Sequence, residues 1–345
     1  MRKKLVLGIA VLVVLIPLLG VGAFYGAGGI DGLQQSTVAH LLDQQRTDLF
    51  EDDRMHVFTL GTGSPQTGTG RLPAANAVIA GDQLILIDAG EGASRTLGDL
   101  NIPLQRLTAV FLTHWHSDHI AGVGQMLNQS WNADRNHEVL LFGPEGVADF
   151  VDALRAQYAE DIRYRSLGHV ENNDPDFALA TAVPVEIGEE TLPAVYEQDG
   201  LIVKAFSVDH GHVKPAFGYR VEYQGRVVVF SGDTVVTPLM LEPARGADVL
   251  VHEAINVRMI ENAAAALESA GLPVEADRAR GIIGYHADTI ELARLAEETG
   301  VKLLVLTHLI PGPPNAVAKW MFTLGRSDAY SGEIRIAYDG DEIIF

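Results

Sequence analysis

Three imidazoles and a carboxylate crowd one short stretch, Thr113-His114-Trp115-His116-Ser117-Asp118-His119, directly after the apolar run Ala109 to Leu112. In an extended or sharply turning segment His114 and His116 project to one side, because alternate side chains share a face, so both can reach one ion. Asp118 and His119 follow the turn, and their offset suits a second ion; paired metals in hydrolases stand roughly 3.5 to 4 Å apart. Imidazole combined with a hard carboxylate oxygen suits zinc, and manganese, iron or cobalt also fit. Alone, the stretch could still be a His-rich surface turn.

Other candidate ligands follow apolar, strand-like runs elsewhere. Val203 to Val208 leads to Asp209-His210-Gly211-His212, Val227 to Phe230 leads to Ser231-Gly232-Asp233-Thr234, and Leu303 to Leu306 leads to Thr307-His308. Ligands collected at strand ends are what a rigid scaffold needs to aim several side chains at one point. Two divalent cations at that point would generate a hydroxide near neutral pH and clamp developing negative charge. A leaving oxygen then needs a proton, and His286 in Tyr285-His286-Ala287-Asp288-Thr289 is a candidate donor. It precedes the helical pattern Ile290, Ala293, Leu295, Ala296, with Asp288 or Thr289 as N-cap, so a capping or surface His is the competing reading.

The series His-x-His-x-Asp-His, a distant His, Ser-Gly-Asp-Thr and Leu-Thr-His resembles the metallo-β-lactamase superfamily, and the likeness runs from about Met55 to the C-terminus. The resemblance implies an α/β fold, a four-layer αββα sandwich with a dinuclear site at one edge. Within that superfamily, Leu60-Gly61-Thr62-Gly63-Ser64-Pro65, Gly218-Tyr219-Arg220, Val251-His252-Glu253-Ala254 and His286 look like the branch holding ribonuclease Z and the arylsulfatase-type hydrolases. Gly143-Pro144-Glu145-Gly146, Tyr158 to Arg163 and Val208-Asp209-His210-Gly211 favour the latter. Position by position, the resemblance implies that His114, His116 and His210 bind one metal and Asp118, His119 and His308 the other, with Asp233 bridging. His212 remains an alternative to His210, since it would share its strand face. The implied cofactor is two Zn2+, with Mn2+ or Fe2+ allowed; the implied catalytic residues are Asp118, which orients the nucleophile, and His286. Di-iron relatives tend to have Glu where His116 stands, and many zinc β-lactamases have Cys where Asp233 stands. A bridging carboxylate in a chain without cysteine favours ester hydrolysis instead.

The N-terminus carries a second signal. Met1-Arg2-Lys3-Lys4 precedes an uncharged run from Leu5 to Ile30; about 20 apolar residues cross a bilayer, and the basic flank stays cytoplasmic. The expectation is an N-terminal transmembrane or signal helix over 1–30, a polar spacer over 31–53 and a hydrolase domain over 54–345. The protein would be inner-membrane-anchored or exported, its catalytic domain on the periplasmic side. With 345 residues, 47% of them hydrophobic, the chain can build one sizeable catalytic core.

Charge bears on the partner. Lys and Arg number 25 against 45 Asp and Glu, a net −20, the opposite of the basic footprint of a nucleic-acid enzyme. Ribonuclease Z proteins commonly carry a tRNA-gripping arm before the bridging Asp, whereas here only Tyr223-Gln224-Gly225-Arg226 separates two strand-like runs. The expected substrate is therefore a small anionic ester, an aryl sulfate or phosphodiester, with nucleic acid disfavoured, membrane contact through the N-terminal helix, and a homodimer compatible. The alternative is a ribonuclease Z-type tRNA 3'-processing endonuclease, and a third reading is a non-catalytic membrane-anchored binding module. Gly61, Gly63, Ser64, Lys214 and Arg220 could meet an anionic substrate or serve as an ordinary turn and surface charge. His252 and Glu253 read equally as ligand support or a core pair. Helices from Val147 and over Val257 to Ala270, the second stopped by Gly271, could wall the pocket.

Overall fold

Alternation along the strands sets the layers. On β3 (Gln83–Ala89) Ile85 and Ile87 pack into one apolar cluster while Leu84 and Leu86 pack into another, because successive side chains point to opposite faces. A strand buried on both sides reads as a continuous apolar run. The computed structural model describes residues 26, 28–168, 174–188, 191–326 and 328–345. The chain divides into residues 1–46, which include helix α1 (Gly29–Asp43), and Thr47–Phe345.

The second unit holds two seven-stranded mixed sheets. The first comprises β1 (Met55–Gly61), β2 (Ala75–Ala80), β3, β4 (Leu107–Phe111), β5 (Val139–Gly143), β6 (Ala180–Pro184) and, beside β1, β14 (Asp341–Ile343). The other comprises β7 (Ala194–Gln198), β8 (Leu201–Ser207), β9 (Phe217–Tyr223), β10 (Arg226–Phe230), β11 (Val249–Ile255), β12 (Leu303–Ile310) and β13 (Glu333–Ile336). In each, antiparallel pairs give way to a parallel run: β3 to β6 in one, β10 to β13 in the other.

Between the sheets lies a core in which Phe111 stacks on Phe142 at 4.6 Å and meets Tyr219 edge-on at 5.4 Å. Helices α2 (Ala93–Asp99), α4 (Val123–Asn132) and α5 (Val147–Gly168) cover the outer face of the first sheet through Leu97, Met126, Leu127 and Val151. Between α2 and α4 lies the one-turn helix α3 (Ser117–Ile120). The outer face of the second sheet is covered by α6 (Leu241–Ala244) and α9 (Thr289–Thr299) through Ala244, Leu292 and Leu295. The order is helix, sheet, sheet, helix.

Local signals place the remaining helices. Asn256 caps α7 (Val257–Ser269) by accepting from Met259 N, and Gly271 beyond its end takes φ 79, which favours glycine. Next comes α8 (Pro273–Gly281), with Pro273 as its first residue, and later α10 (Ala316–Thr323). Asp288 caps α9 through Ile290 N and Glu291 N. The β9–β10 connection is a tight hairpin whose Gln224 and Gly225 both have positive φ.

The transmembrane or signal helix expected over residues 1–30 lies, but for its last few residues, outside the described residues. No helix among the described residues is long and apolar enough to cross a membrane.

Phe111 joins both sheets, so Phe111→Ala should cost about 3–5 kcal/mol. Urea unfolding would check this; a loss below about 1 kcal/mol would show that the inter-sheet core does not depend on this ring.

Candidate metal centre

The ends of strands from both sheets meet at Asp233. After β4 the chain runs extended through His114 and His116, then enters α3 with Asp118 and His119 on its single turn. The loop after β8 brings His210, the loop after β10 brings Asp233, and β12 brings His308. Gly232 permits the Asp233 turn: its φ is 61, and a Cβ there would lie 2.5 Å from the Phe217 carbonyl oxygen. His308 itself has φ 42, beside a shift in the β11–β12 register, a left-handed conformation that costs about 1 kcal/mol.

Asp233 Oδ2 lies 3.3 Å from His308 Nε2, 3.4 Å from His119 Nε2, 3.8 Å from His210 Nε2 and 3.9 Å from His114 Nε2. His116 Nδ1 is 2.9 Å from His114 Nε2 and 3.3 Å from His210 Nε2, and Asp118 Oδ2 is 3.2 Å from His308 Nε2. Potential ligand atoms fall into three groups, His114, His116, His210 and Asp233 in one, Asp118, His119 and His308 in another, and Asp233, His286 and His308 in a third that overlaps both. Tetrahedral bonds of about 2.0–2.1 Å would set neighbouring donors roughly 3.3 Å apart, so the first group has the spacing of a coordination shell. Two of these buried atoms, His119 Nε2 and Asp233 Oδ1, have no hydrogen-bond partner, which in a native interior asks for an ion or water. The donor set fits divalent cations.

A second layer of contacts aims these groups. His210 Nδ1–H donates to the Tyr285 carbonyl oxygen at 3.0 Å, leaving the Nε2 lone pair toward Asp233. Asp88, at the end of β3, accepts from Thr113 N and Thr113 Oγ1 at 2.8 Å each, and from His119 Nδ1–H at 2.7 Å. Phe217 N donates to the Thr113 carbonyl, and the Tyr219 hydroxyl to the Leu112 carbonyl, so the second sheet grips the start of the His-rich turn. Glu253 Oε1 accepts from His286 Nδ1–H at 2.9 Å, from Thr234 N and from Ala287 N.

The electrostatics suit ligation at His114, His116 and His210. Burial pushes the His114 pKa down to about 2, aided by neighbouring imidazoles, and burial also lowers His116 and His210; they stand as neutral donors. Burial alone would raise Asp118 and Asp233. For Asp118 the His308 hydrogen bond and nearby imidazoles outweigh it, bringing the pKa down to about 2, and His308 and His119 hold Asp233 well below the usual carboxylate range. Burial disfavours charge on His119 and His286 too, yet Asp233 and Asp88 hold His119 well above its ordinary value, and Glu253 pushes His286 up to about 9.

The other candidates separate plainly. His212 is exposed, its ring 5.8 Å from Tyr285, whereas His210 is fully buried in the cluster. His286 stands with its ring 5.5 Å from that of His308 and shares a possible ligand group with Asp233 and His308. Glu253 faces the centre, whereas His252, on the opposite face of β11, donates to the Glu253 carbonyl. Arg220 is tied to Glu222 and the Pro243 carbonyl, and Lys214 is exposed. Gly63 N closes a turn onto the Leu72 carbonyl, and Ser64 lines a cleft of about 460 Å³ beside His116, Asp118 and His308. Asp88 escaped the reading of the sequence, although it ends an apolar run, as the other acids do.

Asp88→Ala should weaken metal binding about 10- to 100-fold by freeing His119 and the Thr113 turn. Competition titration with a chelating dye would measure it. In the same assay His210→Ala should lose one metal site and His212→Ala none; the reverse pattern would exchange their roles.

The model of the beta-lactamase superfamily domain matches residues 83–309. The chain is 35% identical over 260 residues to ribonuclease Z of Mycobacterium marinum, covering 74% of this chain and 87% of that protein. It is 32% identical to ribonuclease Z of Mycobacterium bovis, covering 83% and 96%. Among solved structures, the short form of human tRNase Z superposes with a TM-score of 0.58 at 22% identity, covering 84% of this chain and 98% of that one. These relatives correct two expectations, a small anionic ester of the arylsulfatase type as substrate and nucleic acid as a disfavoured partner. They also tell against an exported, membrane-anchored enzyme. The charge argument failed because a net charge sums the whole surface, whereas a substrate meets the local field of the cleft. The chain belongs to the metallo-β-lactamase superfamily, with ribonuclease Z among its relatives.

Proposed function

We propose that this protein is a ribonuclease Z-type endonuclease that hydrolyses a phosphodiester of precursor tRNA at its 3' side, with two zinc ions as its metals. The observation that carries hydrolysis is the position of Asp233 Oδ2, within 3.3 to 3.9 Å of imidazole nitrogens from His114, His119, His210 and His308. The relatives named ribonuclease Z, matched over most of their length, support the choice of RNA as substrate.

His114, His116 and His210 would hold one ion, Asp118, His119 and His308 the other, and Asp233 would lie between them. The ions, when bound, supply Lewis acidity, activating water and offsetting charge on the phosphate. The chain's own groups do the rest. Asp118, with its carboxylate held in the ionised form, accepts a hydrogen bond from the attacking water and fixes its direction. His286 carries a proton at neutral pH because Glu253 stabilises its imidazolium, and Nε2–H delivers that proton to the leaving oxygen. Glu253 keeps Nδ1 occupied, so only Nε2 is free to act.

Precursor tRNA cleavage by the zinc-loaded protein tests the reading. Chelation should abolish turnover and zinc restore it; Asp118→Ala should lower kcat about a thousandfold or more, and His286→Ala about 10²- to 10⁴-fold with zinc retained. A zinc-loaded protein that leaves precursor tRNA intact would end the proposal.

A further inference from the structure

The cleft beside the metal centre has two unlike walls. One carries His116, Asp118, Asp233, His286 and His308; the other is built by α7 and α8, whose Ile260, Leu267 and Ala279 face it with Ile282 just beyond. Tyr285 stands where the walls join. Its carbonyl is fixed by His210, and its half-buried ring lies 5.3 Å from that of His210 and 4.8 Å from that of His286. Among the described residues the Tyr285 hydroxyl has no hydrogen bond, so the phenol is a surface offered to the cleft rather than a structural tie.

Arg278 stands on the apolar wall. Two residues on, Arg280 is committed to Glu261 at 3.0 Å and Glu268 at 2.6 Å. Arg278 is exposed, lines the cleft, and makes no ion pair or hydrogen bond among the described residues. In a chain of net charge −20 an uncommitted guanidinium beside the reaction centre is conspicuous, and its planar fork matches a phosphate. The β9–β10 connection is only a tight hairpin and offers no extended arm at that place. The cleft's volume of about 460 Å³ is that of a small-ligand pocket, far short of a double helix.

We infer that the cleft is a pocket for one unpaired nucleotide. The Tyr285 ring stacks the base beside the scissile phosphate, the α7–α8 wall covers its other face, and Arg278 takes the neighbouring phosphate. Stacking on an aromatic ring tolerates any base, so the pocket selects for single-strandedness rather than sequence. This inference rests on the RNA-hydrolase reading above.

The test is equilibrium binding of fluorescein-labelled hexathymidylate to the zinc-loaded full chain, followed by anisotropy at several salt concentrations. Tyr285→Ala should weaken binding about tenfold or more, with Tyr285→Phe restoring it. Arg278→Gln should weaken binding and lower the slope of log affinity against log salt by about 0.7, the share of one phosphate on a single strand. Zinc content by atomic absorption should match wild type in all three, and Arg335→Gln, on the edge strand β13, should change nothing. Unchanged binding in Tyr285→Ala and Arg278→Gln, or a Tyr285→Phe as weak as Tyr285→Ala, overturns the pocket. Cleavage of precursor tRNA by a wild type that does not bind hexathymidylate also overturns it and leaves the RNA reading standing. Binding with the expected pattern but no tRNA cleavage supports the pocket and removes the tRNA reading.

Discussion

Burying the carboxylate of Asp233, 2% exposed, at the end of an apolar inter-sheet core is the constraint on which the rest of the molecule turns. An uncompensated carboxylate in such a place costs several kcal/mol. Asp233 is compensated by imidazoles delivered from separate segments, and each of those is itself buried and must be compensated in turn. Asp88 answers His119, the Tyr285 carbonyl answers His210, and Thr113 Oγ1 lies 2.9 Å from His114 Nδ1. Divalent cations held by these residues would complete the balance. The strained φ values of Asp88 and His308 are tolerated because the surrounding bonds over-determine both residues.

Such a network needs a stiff frame, and the two sheets provide it. Each contributes to the centre from the ends of its strands: the first through the turn after β4, the second through β8, β10 and β12. The His114, His116, His210 and Asp233 group and the Asp118, His119 and His308 group each draw on both sheets. The Tyr219 hydroxyl and the Phe217 amide, reaching across to the Leu112 and Thr113 carbonyls, make the register between sheets part of the active-site geometry. Core packing at Phe111, Phe142 and Tyr219 lies directly behind that junction, so stability and metal geometry share the same residues.

Strands that end in ligands were legible from residue type alone, because apolar runs followed by His or Asp have few other uses. The caps of α7 and α9 were legible for a similar reason: Gly271 and Asp288 each do a local job that sequence order displays. The supporting shell was not. Asp88 is separated from His119 by 31 positions, and nothing local marks it as that residue's partner. Tyr285 acts on His210 through a carbonyl that every residue possesses. The pair His252-Glu253 could not be divided before the fold was known, since strand alternation sends one toward the metals and the other away, and the sequence does not say which. His210 and His212 posed the same problem; β8 ends at Ser207 and Gly211, at φ 63, turns the chain between them, which removes the shared face assumed from the spacing.

The net charge shows how a correct number can mislead about a partner. At physiological ionic strength the Debye length is about 8 Å, so exposed carboxylates farther than that from the cleft contribute little to the field a phosphate meets there. Glu261 and Glu268 are paired with Arg280, Glu160 with Arg163, and Asp161 with Arg165, which neutralises part of the nearby acidity on α7 and α5. Inside the cleft Arg278 and Glu275 are the charged groups without a partner among the described residues, and the imidazolium of His286 is paired with Glu253, so a pair of divalent cations would decide the local sign against Asp118, Asp233 and Glu275. With those cations bound the site would be positive where the whole chain is negative. On the RNA-hydrolase reading proposed above, an acidic chain would hold RNA at its metal centre while its outer surface repels the remainder of the polyanion, an arrangement that favours contact with one exposed end of a substrate over lengthwise binding along it.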